Sequence, residues 1–284
     1  MLTIGLLNNM PTAAVPATER QFVTLLTEAA NGQPLRLRWF RLSGARPEHY
    51  ERLEDLWTGD LDGLIITGAE PKAASLTAEP FWQPLARTIT WAADHTRSTI
   101  FSCLAAHAAV QHLDGIVRRM SEDKIFGLFG SVKTVDHPLL ADLPAVWKVP
   151  HARWNDLPEA DLLAHGYDVL AKSSEAGVDL FVKHVQRSLF VFIQTHPEYD
   201  VDSLMREYRR DVARFHAGQQ DYAPRAPRNY FDSHSDAHLE LKRAEMITCR
   251  GQTTTLDLSR SATADGWFPV AVQLYRNWLK HIAR

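Results

Sequence analysis

Short runs of apolar residues recur along the chain, separated by turn-forming residues. Runs of this length and composition predict buried β-strands. The strand candidates are residues 2–7, 35–42, 61–67, 99–102, 169–171, 180–182 and 189–193. Segments with helical apolar spacing lie between several of them, at residues 19–30, 81–95, 104–113 and 201–215. This alternation predicts an α/β fold with a mainly parallel central sheet flanked by helices, which we expect to form a single domain over residues 1–284.

The carboxyl-terminal part of the chain departs from this alternation. Residues 217–235 are rich in Gly, Pro, Asp and Asn, which predicts an extended loop. A terminal amphipathic helix is predicted at residues 270–282. Its apolar stripe is expected to comprise Val272, Leu274, Trp278, Leu279 and Ile282.

Composition narrows the classes of function. The 284 residues are 45% hydrophobic and carry a net charge of −3, with 31 basic and 34 acidic side chains. Without a long single-sign charge run, a small-molecule substrate is expected rather than nucleic acid. No apolar stretch approaches the roughly 18 residues of a membrane helix, and the apolar amino terminus is expected to be a strand rather than a signal peptide. The two cysteines, Cys103 and Cys249, favour reduced thiols in a cytoplasmic protein.

Cys103 lies at a junction that suits a nucleophile. In STIFSCLAAHAAV, a β-type segment ends at this cysteine and an alanine-rich helix begins at once. A sharp strand-to-helix turn raises a side chain above the sheet edge, and the positive end of the helix dipole favours a thiolate. The pattern predicts a nucleophile elbow, with a buried structural cysteine as the alternative.

A second candidate segment is LFVFIQTHPEYD, in which a strand delivers His196 and Glu198 at its carboxyl end. A histidine can accept a proton at neutral pH, and a neighbouring carboxylate orients the ring and stabilises the imidazolium. Alone, the segment also fits a His-Pro turn with a solvated glutamate. Together with Cys103 it predicts a nucleophile, a base and an orienting group.

The predicted strand 61–67 ends in Thr67-Gly68-Ala69. Ligands bind at the carboxyl ends of parallel strands, and glycine lets the backbone approach a substrate closely. The backbone N–H groups of Gly68, Ala69 and Leu104 are therefore candidates for an oxyanion hole. Glycine also ends many strands for packing reasons alone.

Two other groups of residues were considered as functional sites and are not assigned a role. His234, Asp236 and His238 are spaced at i, i+2 and i+4 in what we expect to be a polar loop, but no Cys or His partner set completes a zinc pattern. We therefore predict no metal site. Cys249, in a polar stretch, is assigned no role.

Ordered motifs run along nearly the whole chain, namely IGLLNNMP, DGLIITGA, STIFSC, KIFGLF, PHARW, EAGVDLF, THPEYD, EYRRD, NYF and NWL. In these motifs the chain resembles the homoserine O-acyltransferases of methionine biosynthesis. The resemblance implies a class I glutamine amidotransferase-like, flavodoxin-like fold.

The resemblance also implies a ping-pong reaction. Cys103 would accept the acyl group from an acyl-CoA co-substrate, and the hydroxyl of homoserine would then attack that thioester. His196 is implied as the general base and Glu198 as its orienting group. Lys124 and Arg210 match positions that bind the amino-acid substrate, where arginine can clamp a carboxylate. No bound cofactor is implied, and a homodimer is expected by resemblance.

Several positions depart from the family pattern. Ala152 in PHARW replaces a common serine that contributes to substrate binding, and Leu104 and His107 stand where Trp and Gln are common. Lys72 occupies the position that tunes donor choice, where glycine goes with succinyl and glutamate with acetyl. Its ammonium would attract the distal succinyl carboxylate, so we expect succinyl-CoA rather than acetyl-CoA. The alternative is a Lys72 that extends into solvent or meets a CoA phosphate.

Three classes of function fit these features. The leading one is O-acylation of homoserine, with serine or another hydroxy amino acid as an alternative acceptor because of Ala152. The second is a glutamine amidotransferase-type glutaminase, although the chain lacks a Gly-x-Gln pattern after Cys103. The third is a binding module that keeps the fold without catalysis.

Overall fold

The protein is described by a computed structural model covering residues 1–248 and 266–283, so Cys249 lies outside the described residues. The strands are β1 (Leu2–Asn8), β2 (Leu35–Arg41), β3 (Gly63–Ile66), β4 (Ser98–Ser102), β5 (Arg119–Lys133), β6 (Val146–Asp156), β7 (Asp168–Ser173), β8 (Gly177–Val185) and β9 (Ser188–Ile193). The helices are α1 (Val15–Ala30), α2 (Leu53–Thr58), α3 (Trp82–His95), α4 (Leu104–Asp114), α5 (Glu159–Ala164), α6 (Ser203–His216), α7 (Ser233–Thr248) and α8 (Phe268–Ile282). None of these helices is both long and apolar enough to cross a membrane.

The nine strands form one sheet in the order β2-β1-β3-β4-β9-β8-β7-β5-β6. The first five strands in this order pair in parallel, as predicted, and the remaining pairs are antiparallel. The change of direction has a local cause at the β8–β9 connection. Only residues 186–187 join these strands, with Gln186 at a φ of 52°, and so short a turn can link only antiparallel neighbours.

Two strands, β5 and β6, and three helices, α2, α5 and α7, were not predicted from the sequence. The first half of β5, RMSEDK, is polar and largely exposed, so it contains no apolar run. Helix α7 buries only Leu239 and Met246, too few to give a clear helical period. The predicted loop 217–235 is therefore too long, because α7 already begins at Ser233.

Helices cover both faces of the sheet. One core cluster packs α3 and α4 against one face, and a second packs α1 and α8 against the other. Of the predicted α8 stripe, Trp278, Leu279 and Ile282 are buried, but Val272 and Leu274 are only partly so. Ala271 and Tyr275 complete the buried face of α8 instead.

A third cluster lies at the antiparallel end of the sheet, where α6, α7 and the loop between them pack on β5. The loop is tied to β5 by two backbone hydrogen bonds. The N–H of Arg228 donates to Phe126 O, and the N–H of Leu128 donates to Arg228 O, each at 2.9 Å. Gly127 permits this approach with a φ of 140°, and a Cβ on it would lie 2.3 Å from Arg228 O.

We predict that Gly127→Ala lowers the free energy of unfolding by about 1–3 kcal/mol, because the added methyl group meets backbone atoms and the φ is strained for alanine. Gly130→Ala, three residues along β5, is the matched control, since a Cβ there meets nothing within 4 Å. Urea denaturation of both variants measures the difference. Equal stabilities would show that the loop does not depend on this contact.

Candidate active site

Cys103 stands alone between β4 and α4, at the strand-to-helix turn predicted from the sequence. Its backbone has φ 50° and ψ −114°, a conformation that is strained for a residue with a side chain. Its N–H donates to Ile193 O of the neighbouring strand β9 at 2.7 Å, and its carbonyl accepts from Ala106 N–H in α4 at 3.0 Å. These bonds hold the strained turn in place, and the side chain is partly exposed.

The loop after β9 brings His196 and Glu198 to the same edge of the sheet. Nδ1 of His196 lies 2.9 Å from Oε1 of Glu198, and the two residues are only 8% and 7% exposed. Cys103 is close enough to His196 to act on the pKa of the imidazole through its charge and hydrogen bonding. Because Nδ1 faces Glu198, Nε2 is the ring nitrogen left for the sulfur.

The pKa of His196 lies well above its ordinary value. Burial is the largest single influence and lowers this pKa, but the negative charges of Cys103 and Glu198 and the hydrogen bonds to both together outweigh it. The arrangement therefore favours the imidazolium form of His196 beside the sulfur of Cys103. An imidazolium in this position can donate a proton to a leaving group.

Gly68 packs directly against the elbow. A Cβ placed on it would lie 3.3 Å from Cys103 Cβ and 3.4 Å from Leu104 N. Leu104 is the first residue of α4, so its N–H has no carbonyl within its own helix to bond. Ala69, the next residue after Gly68, packs partly against the core cluster that contains α4. All three predicted oxyanion-hole residues thus lie at or beside the Cys103 turn.

Lys124 on β5 and Arg210 on α6 converge on the same two acidic side chains. Nζ of Lys124 lies 2.7 Å from Asp211 and 3.6 Å from Glu207. Arg210 lies 3.1 Å from Asp211 and 3.6 Å from Glu207. The structure therefore brings together the two predicted substrate-binding cations and surrounds them with carboxylates that were not singled out in the sequence.

Tyr199 connects this ionic cluster to the histidine. Its ring stacks on that of His196, with centroids 4.2 Å apart and planes 19° apart. Its hydroxyl donates to Glu207. Tyr199 was not singled out from the sequence. Its position in THPEYD, three residues after His196, could have indicated it, because a turn there brings the two residues together. In the structure, Tyr199 N–H donates to His196 O.

Two further histidines are buried near the elbow. His107 on α4 is 2% exposed and its Nε2 lies 2.7 Å from Gln194 Oε1, and burial lowers its pKa to about 3. His151 on β6 is fully buried, and burial lowers its pKa well below the ordinary value. Neither ring nitrogen of His151 has a hydrogen-bond partner among the described residues. Both rings are held neutral. Ala152, beside His151, packs on the aromatic cluster of β5 and α6.

Lys72 has an exposed side chain on a loop that is fixed through its backbone. The N–H groups of Lys72 and Ala73 both donate to the buried carboxylate of Glu79, at 2.5 and 2.6 Å. Arg118 interacts electrostatically with both Glu79 and Cys103. Arg118 thus links the anchor of the Lys72 loop electrostatically to the elbow.

His234, Asp236 and His238 lie on α7 rather than in the predicted loop. Residues at i and i+4 share a helix face, whereas i+2 points away from them, so the three side chains do not converge. Across residues 1–248 and 266–283, no group of three or more His, Cys, Asp or Glu side chains could hold a metal ion.

Comparison with known structures shows the fold. The chain is similar to a glutamine amido transferase from Methylobacillus flagellatus, with a TM-score of 0.60 and 15% identity over 99% of this chain and 96% of that one. It is also similar to a glutamine amidotransferase from Thermotoga maritima, with a TM-score of 0.55 and 12% identity over 100% and 99% of the two chains. The predicted amidotransferase-like fold is confirmed.

Comparison of sequences is more specific. A family model described as homoserine O-succinyltransferase matches residues 1–284. A homoserine O-succinyltransferase from Rhodopseudomonas palustris is 44% identical over 296 residues, covering 100% of this chain and 89% of that protein. One from Methylorubrum extorquens is 45% identical over 291 residues, covering 98% and 86%. The chain belongs to the homoserine O-succinyltransferase family.

Proposed function

We propose that this protein transfers a succinyl group from succinyl-CoA to the hydroxyl of homoserine, a step of methionine biosynthesis. The observation that carries the proposal is the strained elbow of Cys103 beside the buried, hydrogen-bonded pair of His196 and Glu198, in a chain of this family. Such a set suits transfer through a covalent thioester. A binding module without catalysis would not need it.

In the first half-reaction, the Cys103 thiolate attacks the thioester carbonyl of succinyl-CoA and forms a new C–S bond. The negative charge moves to the carbonyl oxygen, which accepts hydrogen bonds from the backbone N–H groups of Leu104, Gly68 and Ala69. Collapse of this intermediate breaks the bond to the CoA sulfur. The sulfur takes the proton of the His196 imidazolium and leaves as a thiol.

In the second half-reaction, His196 is neutral and accepts the proton of the homoserine hydroxyl. The oxygen attacks the thioester carbonyl, and Cys103 leaves as a thiolate. The products are O-succinylhomoserine and the starting thiolate–imidazolium pair. Glu198 stabilises the imidazolium in both halves and keeps Nδ1 protonated.

The acceptor binds at the cluster of Lys124, Arg210, Glu207 and Asp211. Homoserine is a zwitterion, so its carboxylate needs cations and its ammonium needs anions. The cluster contains two cations and two carboxylates, and each cation lies within 3.6 Å of each carboxylate. Through Tyr199 the same cluster contacts His196, which supports an acceptor bound beside the base.

Lys72 is proposed to favour the succinyl donor. Its exposed ammonium extends from a loop that Glu79 anchors near the elbow, where it can meet the distal carboxylate of the succinyl group. An acetyl group has no such charge. A pair of this kind is worth about 1–4 kcal/mol before desolvation, depending on how well water screens it.

The covalent mechanism predicts that Cys103→Ala and Cys103→Ser lose transfer activity without unfolding. His196→Ala should lower kcat roughly 10²–10⁴-fold, while Glu198→Ala should retain more activity because it only orients the base. Intact-protein mass spectrometry with succinyl-CoA should show one succinyl adduct in the wild type and none in Cys103→Ala. Ammonia release from glutamine without an adduct would support the glutaminase alternative instead.

The ion pair predicts a specific change in the titration of His196. In Cys103→Ala the neighbouring negative charge is gone while the burial remains, so the pKa of His196 should fall. NMR titration of the imidazole nitrogens measures this shift. His107, which burial keeps neutral, is the internal control and should not change over the same pH range. An unchanged His196 would show that the thiolate does not hold its proton.

The acceptor site predicts that Arg210→Ala raises the KM for homoserine by about tenfold or more, the loss expected for one charge-assisted pair. Formation of the acyl-enzyme from succinyl-CoA should be nearly unaffected. Arg209→Ala is the matched control, because Arg209 is exposed and points about 100° around the helix from Arg210. Rapid-quench measurement of each half-reaction separates the effects. Loss of acyl-enzyme formation in Arg210→Ala would contradict the acceptor assignment.

A further inference from the structure

A cavity of about 720 Å³ lies at the antiparallel edge of the sheet, between β5–β6 and the segment from Tyr222 into α7. We call it the arginine cleft. Its lining includes Lys124, Trp154, Tyr222, Arg225, Arg228 and Arg243, and three carboxylates share the lining with these four cations. The cavity is far larger than homoserine needs, so the acceptor alone does not account for it.

One wall of the arginine cleft is aromatic. Trp154 of β6 and Tyr222 meet edge to face with ring centroids 5.0 Å apart, and Tyr222 is 42% exposed. An exposed aromatic surface beside a cavity offers a flat apolar face to a ligand. A purine ring fits such a face, because stacking on aromatic side chains stabilises every base.

Positive charge in the arginine cleft comes from three arginines. Arg225 lies 3.7 Å from Asp123 and Arg243 lies 3.9 Å from Glu240, both at the outer limit of an ion pair, and Nε of Arg243 also donates to Ala223 O at 3.3 Å. Arg228 has a closer partner in Glu175, but both side chains are about half exposed. Pairs of this kind contribute little, so the guanidinium groups can turn to a stronger anion. Arginine suits phosphate, which it binds through paired N–H donors.

The arginine cleft opens onto the acceptor cluster. Lys124 and Asp211 line the cavity and also form the 2.7 Å ion pair of that cluster. Lys124 further contacts Glu207, which accepts from the Tyr199 hydroxyl, and Tyr199 stacks on His196. The arginine cleft is therefore linked to His196 by three successive side-chain contacts, from Lys124 through Glu207 and Tyr199.

We propose that the arginine cleft binds the phosphorylated adenosine of the acyl-CoA donor. The adenine stacks on the exposed ring of Tyr222 with its edge beside Trp154, the phosphates meet Arg225 and Arg243, and the pantetheine arm leads past Lys124 to Cys103. This assignment rests on the proposed function, and it specifies where the donor lies. A free nucleotide also offers a purine ring and phosphates. The experiment must therefore distinguish binding of CoA from binding of a free nucleotide.

The kinetic test compares succinyl-CoA with succinyl-pantetheine, which lacks the nucleotide. Arg243→Gln and Arg225→Gln should each raise the KM for succinyl-CoA by about tenfold, with kcat and the KM for homoserine unchanged. The kcat/KM for succinyl-pantetheine should stay at the wild-type value. Arg52→Gln, an exposed arginine at the opposite end of the sheet, is the matched control and should change nothing. An equal loss with both donors, or no loss with either, would overturn the assignment.

A binding test needs no turnover. Titration calorimetry on the full chain should show binding of adenosine 3′,5′-bisphosphate that CoA displaces, and that Arg243→Gln and Tyr222→Ala weaken. Tighter binding of ATP than of the bisphosphate, or binding that the variants leave intact, would contradict a CoA site. If the nucleotide binds in this manner but no succinyl transfer occurs, the proposed function fails while the nucleotide site stands.

Discussion

The hydrogen bond from Cys103 N–H to Ile193 O is the contact on which the site depends. It continues the parallel pairing of β4 with β9 by one residue, into the strained turn. The same pairing places the loop that carries His196 directly beside the end of β4. Cys103 and His196 therefore come from neighbouring strands, and the strain at Cys103 is sustained by the sheet rather than by the site itself.

Burial gives the site its electrostatic character. A buried charge is costly unless it is paired, so the His196 imidazolium is stable only between Cys103 and Glu198. The nearby rings of His107 and His151 lack such partners, and burial keeps both neutral. The three histidines share a low-polarity environment, yet the pKa rises only at the one that contacts two negative groups. The position of the proton is thus set by the carboxylate and the sulfur, not by burial alone.

The parallel half of the fold and the elbow could be predicted from the sequence because both depend on local patterns. Strand β4 is an apolar run that ends at Cys103, and α4 begins at once. The pairing of Lys124 with Asp211 could not be predicted, because it joins residues 87 positions apart through the docking of α6 on β5. The start of β5 could not be predicted either, because its residues are polar and border the arginine cleft instead of the core. Polar strands that line a site look like loops in a sequence.

The two halves of the sheet therefore contribute different parts of the candidate site. The parallel half holds the strained elbow, whose geometry depends on the strand pairing and not on the substrate. The antiparallel half supplies the ionic cluster and the arginine cleft, and Gly127 lets the loop with Tyr222 and Arg228 close against it. In the proposed function, Lys72 follows β3, but most ligand contacts lie on or beside β5, β6 and α6, so these contacts can change without disturbing the elbow. That separation is a physical reason why one fold can support different reactions of a cysteine nucleophile.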